Sequence, residues 1–366
     1  MTEQRLQQVA LNRLPQVGHA TVRHLIGYLG SAEEVFRTKK GRLSRIPGIG
    51  DQLAAHIVSK SSFDEAESIL KSCEKSDIRI LHFTDEDFPP RLREQYDSPT
   101  LFYCQGNVDA LLRRTIAIVG TRRASDYGKE ITEKIVEEMR SLGVAIISGL
   151  AYGIDITAHR AALRANLPTY GVLASGLNRI YPREHWKTAR DMQASGAIIS
   201  ENPPDTIPDA RLFPARNRII AALAEGTIVV EAAKKGGALI TANIAHSYDK
   251  PVFAVPGNLN SAASAGTNDL IKQQKALIYT SIDDLMYHLN WETSPTKPSK
   301  HEAVGITLSP EERAIVEALK DQPSGVAIDD IAWKTQIQIN QLASLLLTLE
   351  FNGLVKMLPG KKYLLQ

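Results

Sequence analysis

Seven short apolar runs, rich in β-branched residues, alternate with helix-length segments between residues 116 and 280. They are IAIVG (116–120), VAIISG (144–149), YGVLASG (170–176), AIISE (197–201), TIVVEA (227–232), VFAVPG (252–257) and ALIYT (276–280). Strands of this kind, separated by helices, are typical of a parallel sheet that is buried on both faces. The alternation therefore predicts an α/β fold built on an extended parallel sheet.

Small or polar residues stand at the carboxyl ends of six of these runs. They include Gly120-Thr121-Arg122, Ser148-Gly149, Ser175-Gly176, Ser200-Glu201-Asn202, Glu231 followed by KKGGALITA, and Pro256-Gly257-Asn258. Ligands of parallel sheets bind beyond these ends, and small residues leave backbone N–H groups open to an anion. With Arg122, Arg216 and Arg218 close by in the sequence, the pattern predicts an anion-binding site.

The segment FPARNRIIAAL covers residues 213–223 and leads into a stretch of helix length at 216–225. Its Pro214 suits a helix start, and Arg216 and Arg218 follow closely. Proline suits the first turn of a helix, but the partial positive charge there disfavours arginine. Two interpretations stay open. Either an external anion binds these arginines, or carboxylates such as Glu201, Glu231 or Asp155 pair with them inside the protein.

The first 75 residues read as short helices and contain an approximate repeat, LPQVG at 14–18 and IPGIG at 46–50. Such turns between helices resemble the helix-hairpin-helix motif, whose backbone N–H groups hold a DNA phosphate. Only the second copy has glycine at both key positions, so Gly48 and Gly50 are candidates for a secondary phosphate contact. A purely structural turn is the alternative for this copy and the better interpretation of the first.

The C-terminal part, from about residue 308, predicts helices at 310–320, 327–334 and 338–350, followed by a hairpin around Pro359-Gly360. Three helices and a hairpin resemble a winged helix. The expected recognition helix has no Lys or Arg with which to contact phosphates, although Lys356, Lys361 and Lys362 lie on the hairpin. Contact with protein is therefore favoured over DNA reading. The Pro- and Ser-rich stretch that precedes this part predicts a linker at 291–307.

The bulk composition excludes several classes of protein. A formal net charge of +2 means that a polyanion must be bound by a local patch. Cys73 and Cys104 are too few for a disulfide framework, and no signal peptide or membrane-spanning stretch is present, so a cytoplasmic protein is expected. There is no Walker motif for ATP hydrolysis. Asp155 and His159, four residues apart, suggest a helix start rather than a metal site, and no metal or cofactor is expected.

Six segments together resemble the DNA-processing protein A (DprA/Smf) family. They are IVGTRRASDYG, SGLAYGIDITAH, GLNRIYP, FPARNRIIAAL, VVEAAKKGGALITA and VPGNLNSAASAGTNDLI, in family order over residues ~80–285. The resemblance implies an N-terminal helical domain (1–75, helix-hairpin-helix or SAM-like), a Rossmann-like domain (76–290) and a winged-helix-like domain (308–366). It also implies a non-catalytic protein that binds single-stranded DNA, forms a homodimer and helps to load RecA recombinase in natural transformation.

The motifs also imply which residues do this. Candidates for DNA binding are Gly120, Thr121, Arg122, Ser148, Gly149, Arg211, Phe213, Arg216, Asn217, Arg218, Lys234, Lys235, Gly236, Gly237 and Thr241, with Phe213 expected to stack on a base. Candidates for the dimer interface are Leu270, Ile271, Leu277 and Ile278, which surround a sheet edge.

Two departures from the family pattern bear on affinity. Gly236-Gly237-Ala238 stands where many members have Ser-Gly-Ser, and Ala210 stands at a position that is frequently basic, with Arg211 beside it. Two other functions remain open. One is a nucleotide-cleaving hydrolase of the lysine-decarboxylase-like group, although KKGGALITAN lacks the Pro and Glu of its PGGxGT loop. The other is a scaffold with a vestigial pocket.

Overall fold

The protein is described by a computed structural model that covers residues 2–291, 309–320, 325–351, 354–358 and 362–365. The chain divides into two compact units, Met1–Thr293 and Ser294–Gln366. Apart from Trp291, the predicted linker at 291–307 lies outside the described residues, and so do Pro359, Gly360 and Lys361 at the predicted hairpin.

The first unit begins with six helices, as the sequence predicts. They are α1 (Glu3–Arg13), α2 (His19–Leu29), α3 (Ala32–Arg37), α4 (Lys40–Leu43), α5 (Asp51–Val58) and α6 (Phe63–Lys75). The two repeated turns share one backbone conformation. Gln16 and Gly48 both have positive φ, 65° and 80°, and Gly18 and Gly50 are the N-caps of α2 and α5. The sequence repeat is therefore a structural repeat.

A nine-stranded sheet with its helices follows. Its elements are β1 (Arg79–His82), α7 (Pro90–Arg93), β2 (Leu101–Gly106), β3 (Thr115–Val119), α8 (Asp126–Glu138), β4 (Ala145–Ser148), α9 (Ile154–Arg164), β5 (Thr169–Val172), α10 (Trp186–Met192), β6 (Ala197–Ser200), α11 (Leu212–Leu223), β7 (Gly226–Val229), α12 (Gly237–Ser247), β8 (Val252–Ala254), α13 (Ala265–Lys272), β9 (Leu277–Ile278) and α14 (Ile282–His288). The strand order is β1-β2-β6-β5-β4-β3-β7-β8-β9.

All seven predicted strands are confirmed, and β3 to β9 pair in parallel. Strands β1 and β2 were not predicted. They are antiparallel to each other, and β2 is also antiparallel to β6. They carry the sheet toward the N-terminal helices. Leu25 and Ile57 of those helices share one apolar cluster with Tyr103 and Ile198 of the sheet, so the division at residue 75 remains a prediction.

The order of the parallel strands places a topological switch between β3 and β7. From β3 the chain moves to one side through β4, β5 and β6, and it then returns to the other side at β7. The connections that leave the carboxyl ends of β3 and β7 therefore diverge. A crevice opens at such a point, and it is where open α/β sheets bind their ligands.

The second unit contains α15 (Pro310–Leu319), β10 (Val326–Ala327), α16 (Ile328–Thr335), α17 (Ile339–Phe351), β11 (Val355–Leu358) and β12 (Lys362–Leu365). Its strands form a sheet in the order β10-β12-β11. Ile315, Ile331, Leu342, Leu346 and Val355 are buried in its core. This arrangement is a winged helix, as predicted, with β10 as an additional short strand.

The expected dimer residues do not share one environment. Leu270 is 5% exposed in the core of the sheet unit and Ile271 is half-buried against it, because α13 packs its apolar side on the sheet. Leu270 is therefore not a surface residue of this chain, and its assignment to an interface was wrong. Leu277 and Ile278, on the edge strand β9, are exposed. Among the described residues, no helix has the length and apolarity needed to cross a bilayer.

Candidate functional site

A pocket of about 430 Å³ lies at the switch point. Of the predicted site residues, its lining contains Gly120, Thr121, Arg122, Phe213, Arg216, Asn217, Lys235, Gly236, Gly237 and Thr241. Ala151, Asp155 and Ala210 also line it. The sequence thus predicted most of the wall, because the wall is built from strand ends and from the helix starts that follow them.

Glu231, at the end of the β7 run, holds the loop that carries Arg122. Its backbone oxygen accepts the N–H of Thr121 at 2.8 Å. Its side chain accepts the N–H of Ser125 at 2.9 Å and the hydroxyl of Ser125 at 2.5 Å. The expectation that Glu231 orients an arginine was wrong. It instead fixes both ends of the loop from Thr121 to Ser125, and Arg122 is left exposed between them.

Arg216 enters the pocket from α11 and is only 6% exposed. The helix begins at Leu212 and not near Arg216, since Pro214 is the third helical residue, where its missing N–H costs no intrahelical bond. Arg216 therefore lies in the second turn, where the helix dipole opposes a cation less. Its Nη1 donates to the oxygen of Val172 at 3.2 Å, while its buried Nε has no partner among the described residues.

Asp155 is the nearby carboxylate whose charge acts on Arg216, without a direct ion pair between the two side chains. Burial raises the pKa of the Asp155 carboxyl, and the charge of Arg216 and the N–H of Ala151 oppose that rise. Burial lowers the pKa of Arg216, and Asp155 opposes that fall. The alternative of an internal carboxylate thus holds in part for Arg216, although this arginine still lines the pocket.

Two glycines make room for this arrangement. A Cβ on Gly149 would lie 1.7 Å from Nη1 of Arg216 and 2.4 Å from Oδ2 of Asp155. A Cβ on Gly153, where φ is +76°, would lie 2.2 Å from the oxygen of Thr121. The motif SGLAYGID therefore needs its glycines because a guanidinium and a loop backbone occupy the space of their side chains.

His159 holds the backbone of Gly149 in place. Its Nε2 lies 2.6 Å from the oxygen of Gly149, and its Nδ1 lies 2.7 Å from the hydroxyl of Thr169. Since a carbonyl only accepts, Nε2 carries the proton. Burial lowers the pKa of His159 to about 4. As the sequence suggested, Asp155 stands in the first turn of α9 and His159 packs one turn later. No metal-binding cluster of His, Cys, Asp and Glu occurs among the described residues.

Arg218 lies outside the pocket. It forms an ion pair with Glu201 in which both side chains are largely buried, at 14% and 11% exposure. Glu201 also lies 3.4 Å from Nε2 of His19 on α2. Arg218 does not line the pocket, so the interpretation as an internal pair applies to it.

Phe213 stands among cationic groups and another ring. The guanidinium carbons of Arg122 and Arg216 lie 5.1 and 6.0 Å from its ring centroid, and the Tyr181 ring lies 6.3 Å away. A second cavity of about 100 Å³ shares Arg122, Phe213 and Arg216 with the first and is also lined by Tyr181. The aromatic ring is therefore placed where the two cavities meet.

The remaining candidates lie beneath or outside the wall. Ser148 is fully buried and donates to the oxygen of Ile118 at 2.6 Å. Arg211 is exposed and pairs with Asp209 at 2.6 Å. Lys234 is exposed beside Lys235. Of these residues, Ser148 has a structural role, and Arg211 does not replace the basic group that Ala210 lacks.

The start of α12 offers donors to a ligand. Gly236 is its N-cap and no side chain caps the helix. Nothing lies within 4 Å of a Cβ built on Gly237. Uncapped N–H groups at a helix N-terminus bind anions, and Arg122, Arg216 and Lys235 add positive charge around them. The site can therefore bind a phosphate group.

The fold and the pocket define a Rossmann-type protein with a cationic pocket at the switch point of its sheet and an appended winged helix. Residues 79–290 match the family described as DNA recombination-mediator protein A, and residues 298–361 match the DprA winged helix domain. The chain belongs to this family, which confirms the resemblance seen in the sequence.

Individual relatives agree. The chain is 34% identical to protein Smf of Escherichia coli (strain K12) over 303 residues, which is 80% of this chain and 79% of that protein. It is 38% identical to DNA processing protein DprA of Bacillus subtilis (strain 168), over 59% of this chain and 73% of that one. The X-ray structure of DprA from Streptococcus pneumoniae superposes with a TM-score of 0.67 at 30% identity, over 78% of this chain and 98% of that one.

A structure of DNA processing protein A from Helicobacter pylori describes the single-stranded DNA binding mode of that protein. It superposes with a TM-score of 0.53 at 32% identity and covers 58% of this chain and 96% of that one.

Proposed function

We propose that the pocket binds the phosphate backbone of single-stranded DNA with little sequence preference. The observation that carries this proposal is the position of Arg122. It is exposed at the pocket, held on a fixed loop, and makes no ion pair with any described residue. The uncapped start of α12 faces the same space. The Helicobacter pylori relative, whose structure concerns single-stranded DNA binding, supports the same ligand.

The chain provides a matched pair of arginines for the test. Arg122 lines the pocket, whereas the adjacent Arg123 is also exposed but does not line it. Fluorescence anisotropy with a labelled single strand should show that Arg122→Ala weakens binding by about 1.5–3 kcal/mol. It should also reduce the salt slope by about 0.7, the value for one phosphate. Arg123→Ala should bind like the parent. Equal affinity for both variants would refute the proposal.

We propose a role without catalysis. Asp155 is the one carboxylate among the described residues that line the pocket, and it is engaged with the Ala151 N–H and with the charge of Arg216. The hydrolase alternative needs a free acid or base at that position. Incubation with nucleoside monophosphates should release no free base. Release of base would restore the alternative.

We further propose that the chain delivers single strands to RecA during natural transformation and acts as a homodimer in the cytoplasm. The family description, a DNA recombination mediator, supports the first part. The exposed edge strand β9 supports the second, because such an edge needs cover. Ile278→Lys, on β9, should lower the sedimentation mass of a dimeric parent, whereas Leu259→Lys, on an exposed loop, should not. RecA filaments should form faster on single strands pre-bound by the chain.

A further inference from the structure

A group of cations beside the second hairpin turn has no described partner. Residues 37–51 contain five basic side chains and one acidic side chain. Arg37 pairs with Glu33 at 2.6 Å. The other four, called here the α4 patch, are exposed and form no ion pair or side-chain hydrogen bond with described residues; they are Lys39, Lys40, Arg42 and Arg45.

The fold gains nothing from this charge. Lys39 is the N-cap of α4 and Lys40 is its first residue, where the helix dipole disfavours cations. Like charges that share one helical turn also repel each other. The one acidic residue in the segment, Asp51, accepts the hydroxyl of Ser44 at 2.7 Å. The α4 patch thus remains a concentration of positive charge that an external polyanion would neutralise.

The turn that follows adds backbone donors. Arg45 leads directly into residues 46–50, where Gly48 takes a φ of 80° and Gly50 caps α5 without a side-chain hydrogen bond. The first hairpin has the same turn but not the charge. Its nearest cation, Arg13, pairs with Glu65 at 2.7 Å. The charge is therefore specific to one copy of the repeat.

We propose that the α4 patch and the 46–50 turn bind the phosphate backbone of double-stranded DNA, as a second site separate from the pocket. A duplex presents closely and regularly spaced phosphates, which suits four cations clustered within seven residues. Single-strand sites combine cations with aromatic platforms, whereas residues 37–51, which hold the α4 patch and the turn, contain no aromatic side chain. This inference rests on the proposed function only in that the chain acts on DNA. The pocket would hold a strand while the patch holds duplex beside it.

The test uses the full chain and a labelled blunt duplex. The triple variant Lys39→Ala/Lys40→Ala/Arg42→Ala should bind duplex at least about tenfold more weakly, with a salt slope lower by about 0.9 for each lost phosphate. A control triple, Lys134→Ala/Arg140→Ala/Arg164→Ala, removes the same charge from exposed residues of α8, of the turn that follows it and of α9, all of which pair with acids. It should retain duplex affinity.

Three outcomes would overturn the proposal. The first is an unchanged duplex affinity in the patch variant, and the second is an equal loss of duplex affinity in both triple variants. The third is a patch variant that loses binding to vesicles of anionic phospholipid but keeps its duplex affinity. Arg122→Ala separates the two sites, because it should weaken single-strand binding and leave duplex binding intact. If Arg122→Ala binds single strands normally, the pocket proposal fails while the duplex measurements still decide the α4 patch.

Discussion

The guanidinium of Arg218 binds the carboxylate of Glu201, whereas Arg216, two residues earlier on the same helix, ends in the pocket. Two residues along a helix turn a side chain by about 200°, so neighbouring arginines on α11 face different surroundings. One joins the helix to the end of β6 and lies near His19 through Glu201. The other faces the proposed DNA site.

Removing Arg218 should therefore affect folding and not binding. In Arg218→Ala, the buried Glu201 loses its guanidinium, and the free energy of unfolding should fall by about 3 kcal/mol. Single-strand affinity per folded molecule should stay at the parent level. Denaturant unfolding and anisotropy measure the two quantities. Adding Glu201→Gln should recover part of the loss, and a stable Arg218→Ala that has lost DNA binding would contradict this assignment.

Asp155→Asn should lower the stability of the fold but raise its affinity for single strands. The variant leaves the buried charge of Arg216 uncompensated, so the Tm without DNA should fall. It also leaves that charge available to a phosphate, so single strands should bind more tightly and raise the Tm more than in the parent. Thermal unfolding with and without oligonucleotide tests both statements. An unchanged or smaller DNA-induced shift would show that Asp155 does not compete with the ligand.

Gly149→Ala should damage the pocket, because its Cβ would overlap Nη1 of Arg216. The guanidinium would have to move, and single-strand binding should fall by a factor similar to that of Arg216→Ala. Gly27→Ala, on α2, is the matched control, since Gly27 does not line the pocket and open space surrounds its Cβ. It should fold normally and bind within a few-fold of the parent. Equal behaviour of the two glycine variants would disprove the steric argument.

Ala210→Lys should strengthen DNA binding. Ala210 lines the pocket and is exposed, so a lysine there adds a cation with no described group to displace. The gain should approach the contribution of one phosphate contact, with a salt slope steeper by about 0.7. Arg211→Ala should change little, because Arg211 is paired with Asp209 outside the pocket. A large loss in Arg211→Ala would mean that the pair opens to meet DNA.

Stability should fall in mild acid. Burial lowers the pKa of His159 and of His82 to about 4, from 6.5. Below pH 6.5 the unfolded chain binds a proton at each position while the folded chain resists until about pH 4, so stability is lost as the pH falls through that window. The Tm should drop between pH 7 and pH 5. An NMR titration that places His159 near its ordinary value would contradict this.

The sequence predicted the parallel strands and most of the pocket because both follow from local patterns, apolar runs and the small residues that end them. Contacts between distant segments could not be decided in this way, and the sequence left open whether an external anion or an internal carboxylate meets each arginine. The pairing of Arg218 with Glu201 depends on how α11 sits against β6, and the burial of Leu270 depends on which side of α13 meets the sheet. The start of α11 was placed too late because Pro214 is compatible with any position in the first turn.

Asp155 also bears on how quickly a strand leaves the pocket. In the proposed function, a phosphate that reaches Arg216 competes with the charge of Asp155 instead of filling an empty site. As the phosphate departs, the charge of Asp155 again offsets that of Arg216, so dissociation does not leave the buried guanidinium uncompensated. Such an exchange lowers the barrier to release as well as the net gain from binding. A site of this kind favours a short residence time for each phosphate and rapid transfer of the strand to another protein.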